Sequence, residues 1–155
     1  GITCGKCEFC QRGDDVLCIR MKLMGEHVDG TFAQWLSVPV DNLFPMPSHL
    51  NFMQAAALGV NFLTAWRMLY TRAQLKPWET VLVFGVGGGV SLAAMQLAKS
   101  SGARVIVTSR DDAKLDKALA LGADEAINSK TQEVVKRVMA LTDGRGVDVV
   151  IENIG

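Results

Sequence analysis

The chain has 155 residues, 49% of them hydrophobic and 21% charged, a composition that suits one globular domain or a piece of a larger chain. Sixteen basic side chains balance sixteen acidic ones, and neither sign forms a long run, which excludes nucleic acid, an anionic membrane and a strongly charged partner as expected targets. The apolar stretches at 52–66 and 81–98 are broken by Asn61, the glycines or Lys99, and no basic-then-apolar leader opens the chain, so a cytoplasmic protein is expected.

All the cysteines lie in "CGKCEFCQRGDDVLC", residues 4–18. Cys4, Cys7, Cys10 and Cys18 give the spacing C-x2-C-x2-C-x7-C. Two-residue gaps let successive thiolates converge on one ion, and the longer excursion lets the fourth close a tetrahedron with no open position. Such a site holds structure and cannot activate water. Zinc is the expected ion, with Lys6, Arg12, Arg20 and Lys22 nearby to offset thiolate charge. An iron–sulfur cluster is the competing reading, although its fourth cysteine ordinarily follows sooner and precedes proline. Free or disulfide-paired thiols are the remaining alternative, and a reducing cytosol disfavours the disulfide.

"GTFAQWLSVPVDNLFPMP", ending at Pro47, is expected to hold a strand or two closed by prolines. Helical patterning begins after Pro47, with Ser48 as the expected cap and apolar residues at helical spacing up to Leu75. A domain boundary is therefore expected near Pro47, dividing the chain into 1–47 and 48–155. From residue 80 the pattern alternates. Strands are expected at 80–85, 103–109, 123–128 and 147–153, and helices at 89–102, 111–122 and 131–144. Strands apolar on both faces and separated by helices imply a doubly wound parallel sheet, a nucleotide-binding α/β fold. Only four of its usual six strands are present. The chain is thus expected to be an internal segment of a longer protein and to show no turnover by itself.

"VFGVGGGVSLAA" leaves the first strand and opens the next helix. Gly85, Gly87, Gly88 and Gly89 would permit a tight turn and close approach of a pyrophosphate to backbone N–H groups, though the strict G-x-G-x-x-G pattern fails because Val90 takes its sixth position. The second strand ends in Ser109 and Arg110, with Lys114 one helical turn further on. A small polar residue followed by cations suits a ribose 2′-phosphate, so NADP is the expected cofactor; Asp111 next door is the residue that would instead serve an NAD site. Arg110 and Lys114 also suit an ordinary solvated helix start.

In the order and spacing of the cysteine lobe, "DGTFAQWLSVPVDNLFPMP", "AAALGVNFLTAW", "VLVFGVGGGVSLAAMQLAKSSGARVIVTS" and "GVDVVIENIG", the chain resembles the medium-chain dehydrogenase/reductase superfamily, the zinc-containing alcohol dehydrogenase and quinone oxidoreductase relatives. The resemblance covers the whole chain. It implies that residues 1–47 are the C-terminal part of a β-rich GroES-like catalytic domain carrying a structural zinc, and that the second domain binds a nicotinamide cofactor. It further implies that Thr64 packs near the nicotinamide, that Gly87, Gly88, Gly89 and Val90 form the pyrophosphate turn, and that the protein acts on a small-molecule substrate as a homo-oligomer, a dimer by the family's habit. One departure bears on chemistry. Alcohol dehydrogenases of this superfamily bind a second, catalytic zinc through a cysteine a few residues before that threonine, and here Val60 and Asn61 stand in its place. His27, after the zinc lobe, is expected to be a loop residue.

Three readings follow. The first is an NADP(H)-preferring reductase of the quinone or enoyl reductase type with structural zinc only. The second is an alcohol dehydrogenase whose catalytic zinc ligands lie outside this segment, and the third is a non-catalytic nucleotide-binding protein.

Overall fold

The computed structural model describes residues 1–153. Its chain divides into two compact units, Gly1–His49 and Leu50–Gly155.

The first unit is mostly irregular. It holds one helical turn, α1 (Glu8–Gln11), 3-10 turns at Asp15–Leu17 and Val40–Asn42, and isolated bridges pairing Ile2 with Lys22 and Met24 with Val28. The strands expected before Pro47 do not form among the described residues. A strand needs a hydrogen-bonding neighbour and an apolar cover, and this segment finds neither: Phe32, Trp35, Val40 and Phe44 are all exposed.

The second unit opens with α2 (Phe52–Trp66), which passes into a π-helical segment, Arg67–Arg72. Its cap is Asn51 and not the expected Ser48. The Asn51 side chain accepts from the backbone N–H of Gln54 at 2.9 Å while the Gln54 side chain accepts from that of Asn51 at 3.0 Å, and this reciprocal pair satisfies two N–H groups that a helix start otherwise leaves open. Then come β1 (Thr80–Val83), α3 (Gly89–Ser100), β2 (Arg104–Ser109), α4 (Asp112–Ala120), β3 (Glu125–Asn128), α5 (Val134–Leu141) and β4 (Val149–Ile151). All pairings are parallel and the sheet order is β3-β2-β1-β4.

Alternation along the central strands explains the layers. Val81 and Val83 of β1 and Val105 and Val107 of β2 share a cluster with Ala93, Ala94, Met95 and Ala98 of α3, Leu115 and Ala118 of α4, and Ala65 and Leu69 from the α2 region. The intervening Leu82 and Ile106 pack on the opposite face with Ile127 and Val138 of α5. Successive side chains of a strand point to opposite faces, so a strand apolar at every position must be covered on both sides. Small residues on α3 bring that helix close to the sheet. The fold class expected from the sequence is the one observed for this unit, a doubly wound parallel sheet.

Asp148 fastens the entry of β4. Its carboxylate accepts from the Thr80 backbone N–H at 2.8 Å and from the Arg145 guanidinium, and its own N–H donates to the Thr80 carbonyl at 2.9 Å. The Arg145 contact is the main reason that its carboxyl lies below the ordinary value of 3.8. No described helix is long and apolar enough to cross a membrane.

Candidate functional sites: a four-thiol centre and a glycine-turn cavity

Two sites emerge, one in each unit. In the first, the four cysteine sulfurs lie within 4.8 Å of one another. Cys7 precedes the α1 turn and Cys10 lies within it, so their sulfurs approach to 3.5 Å; Cys10 and Cys4 stand 4.0 Å apart. Gly5 makes the bend between Cys4 and Cys7 with φ +63°, a left-handed conformation that a side chain would disfavour. The 3-10 turn at Asp15–Leu17 then delivers Cys18, which is buried and whose sulfur accepts from the Cys4 N–H at 3.4 Å.

The electrostatics suit a cation. Backbone N–H groups stabilise thiolate at two positions: the N–H of Cys10 is the main influence holding Cys7 down at about 6, and that of Lys6 leads in lowering Cys4. Cys10 goes the other way, pushed up to about 12 first by burial and then by the Cys7 contact. Four thiolates this close cannot all ionise without a compensating positive charge. A tetrahedral zinc with Zn–S bonds of ~2.3 Å requires sulfurs about 3.8 Å apart, close to the spacings seen, so the donor set fits a closed zinc site. Of the cations expected to help, Arg12 lies over the Phe9 ring, 4.5 Å from its centroid. His27 accepts from the Leu23 backbone N–H through Nδ1 at 3.2 Å in an exposed turn.

In the second unit, a cavity of ≈ 530 Å³ opens at the C-terminal ends of β1 and β2, lined by the glycine turn, Thr108, Ser109, Arg110, Asp111, Lys114 and Ser129. It gathers Gly85, Gly87, Gly88, Ser109, Arg110 and Lys114 from the residues singled out in the sequence. Gly89 and Val90 begin α3 and do not line it, and neither does Thr64, which is exposed on α2.

The turn is held open by specific contacts. Gly85 and Gly87 adopt φ +61° and +120°. The Val86 N–H donates to the Thr108 carbonyl at 2.8 Å, and the Gly85 N–H to the Thr108 hydroxyl at 3.1 Å. A Cβ on Gly87 would stand 2.8 Å from Cδ of Lys114, so the lysine stem lies directly across the turn. Ser109 is buried at the last position of β2, and its hydroxyl accepts from the Asp111 N–H at 3.2 Å. Asp111 caps α4, accepting from the Ala113 N–H at 3.0 Å. The cavity therefore combines a cradle of backbone at a helix start with two exposed cations on one rim, an arrangement that receives phosphate. Thr108 and Ser129 were missed in the sequence; as the neighbour of Ser109, Thr108 was within reach of the same argument.

The profile of an alcohol dehydrogenase GroES-like domain matches residues 1–48, and that of a zinc-binding dehydrogenase matches residues 89–155. The chain belongs to the medium-chain dehydrogenase/reductase superfamily. Within that superfamily it is similar to a crystal structure of an NAD-dependent alcohol dehydrogenase, with 46% identity and a TM-score of 0.92 over 96% of this chain and 43% of that one. The NAD-dependent alcohol dehydrogenase of Saccharolobus solfataricus is 34% identical over 96% of this chain and 43% of its own length. The quinone oxidoreductase of Thermus thermophilus, solved also as its complex with NADPH, is 40% identical with a TM-score of 0.69, covering 77% of this chain and 39% of that one. The chain thus spans less than half the length of these relatives.

Proposed function

We propose that this chain is the structural-zinc and nucleotide-binding segment of an NADP(H)-preferring oxidoreductase of the quinone or enoyl reductase type, acting on a carbonyl or activated C=C of a small molecule. The observation that carries the cofactor preference is the single cavity rim shared by Ser109, Arg110 and Lys114. A buried small hydroxyl leaves room where an acid would bind a ribose 2′-hydroxyl, and two cations stand ready for a 2′-phosphate. Gly85, Gly87 and Gly88 would admit the pyrophosphate against the backbone, with Lys114 close enough to serve either phosphate. The bound nicotinamide would supply hydride transfer.

Zinc, held by Cys4, Cys7, Cys10 and Cys18, serves structure only in this reading. Val60 is 78% exposed and carries no ligand atom, and Asn61 turns its amide against Gly89. A specific observation favours the second reading, an NAD-dependent alcohol dehydrogenase: Asp111 lines the same cavity. Its role as the α4 cap occupies one carboxylate oxygen.

Both parts are tested on the full-length parent protein purified without added metal. One zinc and no iron per chain, with NADPH bound at least tenfold tighter than NADH, supports the reductase; replacing Arg110 and Lys114 by alanine should remove that preference, each cation being worth about 1 kcal/mol at a wet surface. Two zincs, or a preference for NADH, overturns it in favour of alcohol dehydrogenase.

A further inference from the structure

The strand order β3-β2-β1-β4 means that the chain winds outward from β1 through β2 to β3, then returns to the other side of β1. The crevice between the C-terminal ends of β1 and β4 is the point where the winding reverses, and a dinucleotide in such a fold lies across it. One side-chain contact bridges the two strand ends there. Ser91, in the first turn of α3 and 1% exposed, has its hydroxyl 3.0 Å from the Phe84 carbonyl just beyond β1 and 2.9 Å from the side-chain oxygen Oδ1 of Asn153 just beyond β4.

The chemistry of this contact is restrictive. A hydroxyl has one proton, so Ser91 cannot donate fully to both the Phe84 carbonyl and an Asn153 oxygen. Both are satisfied when the Asn153 amide presents its NH2 group to Ser91 Oγ and Ser91 donates onward to Phe84; the oxygen and nitrogen of such an amide are interchangeable in position. Asparagine completes the chain, and an acceptor-only aspartate would compete with Phe84 for the single proton. Ser91 lies one residue past Val90, which takes the sixth position of the glycine pattern, and adds a buried polar tie between the helix and the strand end.

We propose that Ser91 and Asn153 are positioning residues that fix the end of β4 against the glycine turn, and so set the half of the site that receives the nicotinamide end of the cofactor. The assignment rests on the nucleotide-binding reading above. It gives the two halves of the cofactor site separate supports: Ser109, Arg110 and Lys114 on the cavity for the adenosine phosphate, and the Ser91–Asn153 tie, outside that cavity between the ends of β1 and β4, for the nicotinamide half.

The experiment is a calorimetric comparison, on the full-length zinc-loaded protein, of adenosine 2′,5′-bisphosphate, which reaches only the adenosine half, with NADP+. Asn153→Ala, Asn153→Asp and Ser91→Ala should each bind the bisphosphate within about twofold of the wild type and NADP+ about tenfold more weakly, a net hydrogen-bond contribution. The Ser91→Ala/Asn153→Ala double variant should be no worse than either single one. Unchanged NADP+ affinity in Asn153→Ala overturns the assignment. So does an equal loss for both ligands, which would mark the tie as a general support of the fold. A wild-type protein that binds neither ligand sinks the nucleotide reading itself, an outcome distinct from the other two.

Discussion

Asn61 offers the sharpest test of how α2 and α3 pack. A Cβ built on Gly89 would stand 2.5 Å from Nδ2, 2.6 Å from Cγ and 2.7 Å from Oδ1 of Asn61, closer than nonbonded atoms sit. Gly89→Ala must therefore drive the Asn61 amide out of its place. Crowding of this kind costs about 1–3 kcal/mol. Against it stands the gain from replacing a glycine whose backbone an alanine can adopt, about 0.4–1 kcal/mol, since Gly89 begins a helix after an extended cap and has no positive φ. The net expectation is a loss of up to about 2.6 kcal/mol for Gly89→Ala, centred on about 1 kcal/mol. Removing the obstruction should reverse the sign: in the Asn61→Ala background the same substitution becomes neutral or stabilising, a coupling of at least ~1 kcal/mol between the two positions. Thermal unfolding of the four proteins of this cycle, full length and zinc-loaded, measures it, at roughly 2–4 °C per kcal/mol for a domain of about 150–250 residues. If Gly89→Ala unfolds at the wild-type temperature, or if Asn61→Ala does not rescue it, the packing argument is wrong.

At the turn itself, Gly87→Ala meets two obstacles, φ +120° and the Lys114 stem; nucleotide affinity should fall by tenfold or more, the equivalent of about 1.4 kcal/mol, and calorimetry showing wild-type affinity would contradict the role given to this glycine. Cys18→Ser changes the one buried cysteine of the four; the variant should lose its zinc to a chelator concentration that the wild type withstands, as read by elemental analysis after dialysis. Asp148 has a pH signature. Because its folded carboxyl lies below 3.8, first through the Arg145 contact, the folded protein binds fewer protons there than the unfolded chain, and the stabilisation is complete above pH 3.8 and lost as pH falls through the lower folded value. Asp148→Asn should accordingly be less stable than the wild type at neutral pH, and the gap should close in acid; denaturant titrations that find the same gap at about pH 7 and about pH 3 would refute this.

The sequence announced some of this through repetition and some not at all. Three of the four strands of the second unit were legible because "TVLVFG", "ARVIVTS" and "VDVVIEN" each hold an unbroken apolar run of three or four residues and end in or follow a glycine, and burial on two faces is the physical state that such a pattern favours. The sequence pattern overextends the helices, 89–102 against Gly89–Ser100 and 131–144 against Val134–Leu141, since propensity does not say which residue turns out of the helix. The stretch before Pro47 misled for a related reason. Its alternation is a local property, whereas a strand exists only with a neighbour, and none pairs with it among the described residues. The thiol spacing foretold convergence because four ligands to one ion need nothing but a short loop. The contacts that pack around the start of α3 had no local signature. Asn61 and Gly89 are 28 positions apart and Ser91 and Asn153 are 62 apart; the first pair meets where α2 packs on α3, the second where the winding returns β4 to the side of β1. Pairs of that kind become visible only once the sheet has set which chain ends face each other.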